Sequence, residues 1–192
     1  MKNNFPFLGI QTPIRSALQK PFLQNLKSEK EIDWDLVHRL WNEKEREFQY
    51  VAIDYLIAKK KQLTPTDLNL IKQLISTKSW WDSVDLLASH LVGFIFQHFP
   101  EAQEEILQWA TSENLWLRRT SIICQLKSKS NTNTAFLTQT ITSNLNSNEF
   151  FINKAIGWAL REYSKSDPKW VSEFIEKHSL HSLSKKEASK HL

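Results

Sequence analysis

Five bulky apolar residues recur along the chain at nearly constant spacing. The intervals are 33, 35, 35 and 32 residues, and the residues are Phe48, Trp81, Trp116, Phe151 and Leu183. Each of them opens the inner part of an amphipathic segment, and each interval holds two segments with helical periodicity. A repeat of this length with two helices is typical of α-solenoids, in which neighbouring helix pairs stack and share one core. The sequence therefore predicts an all-α fold, an α-solenoid of helical repeats, in a single domain over residues 1–192.

Helix boundaries are marked by capping residues and by short polar loops. Asp167 with Pro168 supplies an N-cap followed by proline at the first helical position, and Ser184 with Glu187 fits a capping box. The sequence holds only 3 glycines, and this scarcity disfavours folds that depend on glycine-rich turns. The predicted helices cover about 33–42, 45–61, 66–77, 79–98, 101–111, 114–128, 134–146, 149–165, 168–178 and 184–191.

Other classes of site and compartment receive little support. The one cysteine, Cys124, excludes an internal disulfide and a cysteine-based zinc site, and it is typical of a protein from a reducing cytoplasm. His178 and His181 have no acidic third ligand near them, which favours an ordinary surface pair over a metal site. No apolar run approaches the roughly 20 residues that span a bilayer. We expect a cytoplasmic protein with no membrane partner and no metal.

Charge is distributed unevenly. Residues 1–112 carry 13 Lys and Arg against 14 Asp and Glu, a net charge of −1, whereas residues 113–192 carry 12 against 7, a net charge of +5. A basic half in a soluble protein suggests nucleic acid as its partner. The third residue after the repeated apolar position is basic in three repeats, at Arg119, Lys154 and Lys186. These side chains are predicted to form a track for a phosphate backbone; the alternative is that they are ordinary solvent-exposed positions.

Two tryptophan-containing segments are candidates for chemistry. Trp81 and Asp85 lie four residues apart and therefore share a helix face, which places a carboxylate beside an indole. Trp158 follows Gly157, which permits another group to approach closely, and Arg161 lies within reach of the same face. The alternative is structural: each indole packs in the core, and Asp85 forms a salt bridge.

The arginine pair that follows Trp116 is a further candidate. Arg118 and Arg119 cannot point the same way on a helix, so one of them is expected to bind phosphate while the other is structural.

Several of these segments, in this order and spacing, resemble the AlkD-type DNA alkylation repair glycosylases over nearly the whole chain. The resemblance is carried most specifically by Ser-Trp-Trp-Asp-Ser-Val-Asp at 79–85 and by Lys-Ala-Ile-Gly-Trp-Ala-Leu-Arg-Glu-Tyr at 154–163. Four further segments contribute, at 7–13, 45–49, 116–119 and 183–188. The resemblance implies a HEAT-like superhelix with a concave basic cleft that holds duplex DNA, and it implies no cofactor.

The resemblance also assigns roles to individual residues. Asp85 matches the catalytic aspartate of the family, Trp81 and Trp158 match its two cleft tryptophans, and Arg119 matches its phosphate-contacting arginine. Such enzymes remove N3- and N7-alkylated purines, such as 3-methyladenine and 7-methylguanine, from duplex DNA without a closed base-flipping pocket. Asp85 is then expected to stabilise the cationic sugar and to orient water, in a monofunctional reaction that needs no lysine nucleophile.

Two other functions stay open at this stage: a non-catalytic protein that binds damaged or branched DNA, and a helical scaffold for proteins. Asp85 together with Trp81 and Trp158 favours the enzyme, because pure DNA binding needs no carboxylate facing a polyanion. The expected DNA-binding set consists of Arg118, Arg119, Lys154, Arg161 and Lys186. We also expect both ends of the solenoid to be shorter than is usual in the family, and the protein to act as a monomer with no obligate protein partner.

Overall fold

The computed structural model describes residues 3–26 and 29–192, and in these residues every regular element is helical. The chain divides into two compact units, Met1–Thr64 and Pro65–Leu192. The α-helices are α1 (Thr12–Leu26), α2 (Trp34–Asn42), α3 (Arg46–Lys59), α4 (Leu68–Ser76), α5 (Trp81–Leu86), α6 (Gly93–His98), α7 (Gln103–Gln108), α8 (Leu115–Ile123), α9 (Thr134–Thr142), α10 (Phe150–Ser164), α11 (Pro168–Lys177) and α12 (Ser182–Ala188).

In the first unit, the N-terminal segment is held on α3 by polar contacts. The Glu47 carboxylate accepts hydrogen bonds from the backbone N–H groups of Leu8, Gly9 and Ile10, at 2.9–3.1 Å. Gly9 has a φ of +79°, which favours glycine at the centre of this turn. The buried Arg46 guanidinium lies 4.1 Å from the centroid of the Phe5 ring. Two segments that carry the family resemblance thus contact each other here.

We predict that Glu47→Gln loosens this N-terminal segment. Burial raises the pKa of Glu47, but the backbone hydrogen bonds outweigh this effect and lower the pKa below its ordinary value. Hydrogen bonds to a charged group are worth about 2 kcal/mol, so the amides of residues 8–10 should exchange with deuterium on the order of 30-fold faster in the variant. In the wild type, this stabilisation is present above the unfolded-state pKa of Glu47 and is lost as the pH falls through the lower folded-state value.

Glu45→Gln is the matched control, because Glu45 makes no side-chain capping bond at the start of α3. It should leave the exchange of the same amides unchanged. Equal exchange rates in the Glu47 variant and the wild type would contradict the assignment of Glu47 as the anchor of this segment.

The second unit is organised around α10, which packs against α8, α11 and α12. Ile152, Ile156 and Leu160 recur every four residues along α10, and all three are buried in its hydrophobic core. This apolar stripe leaves another face of α10 for Lys154, Trp158 and Arg161. After α10, Asp167 caps the start of α11 by accepting a hydrogen bond from the backbone N–H of Trp170, as predicted.

The prediction of an all-helical fold with stacked helices is confirmed, and the helix positions agree within a few residues, but two local predictions were wrong. α1 was not predicted; it buries no residue, and polar contacts of Arg15 and Gln19 with Asp54 on α3 hold it in place.

The capping box at 184–187 is not formed, because His181 caps α12 and the buried Ser184 hydroxyl donates to the Asn153 carbonyl oxygen. The single-domain assignment stays a prediction.

The aromatic repeat has a different register from the predicted one. Trp80, and not Trp81, packs with the later aromatic residues: its ring centroid lies 5.8 Å from that of Trp116 and 5.3 Å from that of Phe151. Trp116 and Phe151 are themselves 5.0 Å apart. Because Trp80 occupies the packing position, the neighbouring Trp81 is left 45% exposed.

None of the helices in the described ranges, 3–26 and 29–192, combines the length and apolar character that a membrane span needs. No group of three or more His, Cys, Asp or Glu side chains lies close enough to hold a metal ion in these ranges. Cys124 is buried, as expected for a core residue.

Candidate active site

An open cavity of about 400 Å³ in the second unit brings most of the predicted functional residues together. α5, α8 and α10 contribute side chains to its wall, and further residues come from the C-terminal end of the chain. The lining residues are Trp81, Asp85, Arg119, Lys154, Trp158, Arg161, Glu187 and Lys190. Four cations and two carboxylates give the wall a formal net charge of +2.

Asp85 and Arg119 form a bidentate ion pair on this wall. Arg119 Nε lies 2.7 Å from Asp85 Oδ1, and Nη2 lies 2.9 Å from Oδ2. Arg119 Nη1 donates to the Phe151 carbonyl oxygen at 2.6 Å, so three of its five N–H groups have protein acceptors. The Arg119 side chain is 5% exposed and that of Asp85 is 14% exposed. Two planar groups are therefore locked in one geometry.

The Asp85 carboxyl lies in an environment that changes its acidity. Burial raises the pKa of Asp85 above its ordinary value, while the hydrogen bonds and positive charge of Arg119 act in the opposite direction. The negative charge of Asp82 adds to the rise. A carboxylate so poorly hydrated interacts more strongly with a cation that enters the cavity than an exposed carboxylate would.

The position of Asp85 follows from the local structure of α5. The helix begins at Trp81 after an extended Trp80, whose carbonyl oxygen accepts hydrogen bonds from the backbone N–H groups of Ser83 and Val84. Ser83 and Val84 are buried, so the opposite face, with Trp81 and Asp85, faces the cavity. A π-helical stretch, Leu87–Val92, follows directly, and such stretches are frequent at functional sites.

A second charged cluster lies around Glu187. Its carboxylate is 3.0 Å from Lys154 Nζ, 2.8 Å from Arg161 Nη1 and 2.8 Å from Lys190 Nζ. Hydrogen bonds from Lys190 and Lys154 lower the pKa of Glu187 to about 2, although burial acts against them. Glu187 is therefore ionised at neutral pH.

The structure separates the predicted residues into two groups. The cavity wall includes Trp81, Asp85, Arg119, Lys154, Trp158 and Arg161. Arg118 is half-buried and Lys186 is exposed, and neither of them lines the cavity. The structure thus brings two members of the predicted basic track, Arg119 and Lys154, to one wall and leaves the third, Lys186, outside it. The roles of all these residues in binding or catalysis stay predictions.

Sequence reasoning missed Glu187 and Lys190. Glu187 was assigned to a capping box, and the helical register of α12 instead directs it to the cavity. Gly157 carried a signal, because α12 approaches α10 so closely there that a methyl group on Gly157 would lie 2.5 Å from Glu187 Cβ. A close partner helix beside Trp158 and Arg161 was therefore predictable, but its identity was not.

Comparison with known proteins identifies the family. The family model for DNA alkylation repair enzymes matches residues 1–192. A solved structure, a predicted DNA alkylation repair enzyme from Enterococcus faecalis, is similar with a TM-score of 0.91 and 35% sequence identity, over 100% of this chain and 90% of that chain. A search of curated proteins found no match. Because the family model spans the whole sequence and the fold agrees with that structure, the chain belongs to the DNA alkylation repair enzyme family.

Proposed function

We propose that the protein is a monofunctional DNA glycosylase that hydrolyses the N-glycosidic bond of alkylated, positively charged purines in duplex DNA. One observation carries the proposal: a poorly hydrated carboxylate, Asp85, shares an open cationic cavity with two indoles, Trp81 and Trp158. The net charge of +2 suits a phosphate backbone, and the carboxylate and the indole faces suit a positive charge that develops on a sugar of that backbone. A site for DNA binding alone would need the positive charge but not the carboxylate beside two indoles.

In the proposed reaction, the bond between the sugar C1′ and the purine nitrogen breaks. Its electron pair leaves with the base, which becomes neutral because alkylation had made it cationic. The positive charge that develops on the sugar is stabilised by Asp85 and by the electron-rich faces of Trp81 and Trp158, each face contributing about 0.5–2 kcal/mol. Water then bonds to C1′ and releases a proton, for which the Asp85 carboxylate or solvent is the acceptor.

Arg119 has two proposed tasks in this scheme. Its two hydrogen bonds to Asp85 fix the orientation of the carboxylate, a third anchors the guanidinium on the Phe151 carbonyl oxygen, and its two other N–H groups would donate to a phosphate oxygen. Lys154, Arg161 and Lys190 then provide further phosphate contacts on the same wall. The openness of the cavity supports recognition of the lesion from the backbone and through charge, in contrast to enzymes that enclose a flipped base.

The test is release of 7-methylguanine and 3-methyladenine from methylated duplex DNA, measured by chromatography, with unmethylated duplex as the control. We expect free alkylated bases from the methylated duplex alone. The product strand should contain abasic sites and stay unbroken until it is treated with alkali, because no amine nucleophile is proposed. A protein that binds the duplex and releases no base would instead be a DNA-binding member without this activity.

A further inference from the structure

The packing of α12 on α10 holds Glu187 in place. The Ser184 hydroxyl, one turn earlier on α12, donates to the Asn153 carbonyl oxygen at 2.9 Å. Asn153 in turn donates to the Ser147 carbonyl oxygen at 2.8 Å and to that of Glu149 at 3.2 Å. Together with the close approach at Gly157, these contacts fix the backbone that carries Glu187. The carboxylate is therefore a rigid element of the cavity wall.

Three cations, two of them on α10 and one near the C-terminal end of the chain, converge on this one carboxylate. Lys154 and Arg161 lie on α10, and Lys190 lies beyond the end of α12. Their side chains are 37%, 23% and 47% exposed, whereas that of Glu187 is 10% exposed. Long cationic side chains with this exposure would otherwise sample many rotamers. Glu187 restricts all three and neutralises one unit of their charge.

We propose that Glu187 is a positioning residue, which orders Lys154, Arg161 and Lys190 so that they receive the phosphates beside the lesion in one register. The negative charge of Glu187 has a second consequence, because it lowers the general electrostatic attraction of the cavity for any DNA. The inference rests on the proposed glycosylase function for its catalytic part. Its electrostatic part concerns DNA binding alone and does not depend on base release.

The two parts predict changes in opposite directions for Glu187→Gln. On an unmodified duplex, followed by fluorescence anisotropy, the variant should bind more tightly at low salt. The slope of log affinity against log salt should steepen by about one, since one unit of positive charge on the cavity wall is no longer neutralised by the carboxylate. On methylated duplex, kcat should fall on the order of tenfold, because the phosphates are no longer held in register with Asp85. KM should fall or stay unchanged.

Two further variants separate position from charge. Glu187→Asp keeps the negative charge but moves the carboxylate back by one methylene group, so it should lower kcat and leave the salt slope of the wild type. Glu173→Gln makes the same change of charge in an exposed i,i+4 pair with Lys169 on α11. It should alter neither kcat nor the salt slope.

Several outcomes would overturn the proposal. If Glu187→Gln lost affinity and kcat in parallel, Glu187 would have a merely structural role. A lower unfolding temperature of this variant, measured by circular dichroism, would show the same. An equally steep salt slope in Glu173→Gln would show an effect of net charge alone. An unchanged kcat in both Glu187 variants would remove the positioning role. If the wild type releases no base, the glycosylase function fails, and the salt slopes on unmodified duplex still decide whether Glu187 restrains the cations.

Discussion

Replacing Asp85 with asparagine should lower the rate of alkylated-base release on the order of 1,000-fold. A carboxylate about 4 Å from a developing positive charge, at an effective dielectric near 20, is worth roughly 4 kcal/mol. Lost entirely from the transition state, that free energy corresponds to a factor of about 10³ in rate. Asparagine keeps the size of the side chain and can still accept a hydrogen bond from Arg119, so the loss should appear in kcat. Single-turnover release from methylated duplex measures it directly.

The matched control is Glu104→Gln, which removes one negative charge at an exposed position on α7, away from the cavity. It should keep the wild-type rate. Because Asp85→Asn leaves the buried Arg119 without its counter-ion, the folded fraction of both variants is measured by circular dichroism and the rates are compared per folded molecule. A rate within a factor of about three of the wild type would remove Asp85 from the mechanism, since that factor is worth less than about 1 kcal/mol.

Replacing Arg119 with methionine should lower the free energy of unfolding by about 3–5 kcal/mol, because it strands the Asp85 carboxylate in a poorly hydrated place. The Phe151 carbonyl oxygen also loses its donor. Denaturant titration at neutral pH measures this loss. Arg118→Met is the control for stability. Arg118 is half-buried, and within residues 3–26 and 29–192 no ion pair joins it to a carboxylate, so a loss below about 1 kcal/mol is expected.

The same variant should change the pH dependence of both stability and activity. Burial already raises the pKa of Asp85, and removing Arg119 takes away the interactions that oppose this rise. The folded state then binds a proton more readily than the unfolded state, so the stability of the variant falls as the pH rises from the unfolded-state pKa to the folded-state pKa. Activity needs the ionised form, so the acid limb of kcat should move to higher pH than in the wild type.

These results distinguish the two tasks proposed for Arg119. A phosphate contact alone would raise KM and leave the acid limb of kcat in place, whereas orientation of Asp85 would move the limb. A stability loss no larger than that of Arg118→Met would contradict the buried ion pair as a source of stability.

The helical fold was predictable from the sequence because its signal is periodic and local. Apolar positions every three or four residues predict α10, and Ile152, Ile156 and Leu160 are indeed its buried stripe. Capping residues such as Asp167 act within one turn, so they too can be recognised in the sequence. α1 also has apolar residues at four-residue spacing, Ile14, Leu18 and Phe22, but they are exposed, and polar contacts to Asp54 hold the helix. Its formation therefore depended on the tertiary contacts of its polar side chains with α3.

The residues of the candidate site were predicted from family motifs, but their arrangement was not. The sequence placed Trp81 and Asp85 on one helix face, because a separation of four residues fixes that relation. The sequence also pointed to Arg119, but only as a phosphate contact. It gave no indication that Arg119 would pair with Asp85, which lies 34 residues earlier in the chain. The choice between Arg118 and Arg119 likewise depended on which of them met a buried carboxylate.

Sequence alone therefore determined most of the secondary structure, the family and the identity of most candidate residues, because each is encoded in local spacing and in specific motifs. Tertiary structure alone decided which charges meet. The shift in packing from Trp81 to Trp80, the pairing of Asp85 with Arg119, and the convergence of three cations on Glu187 all depend on how separate helices pack. Electrostatic energies vary steeply with distance and burial, and neither the distance between charges on different helices nor their burial can be predicted from the sequence of one helix.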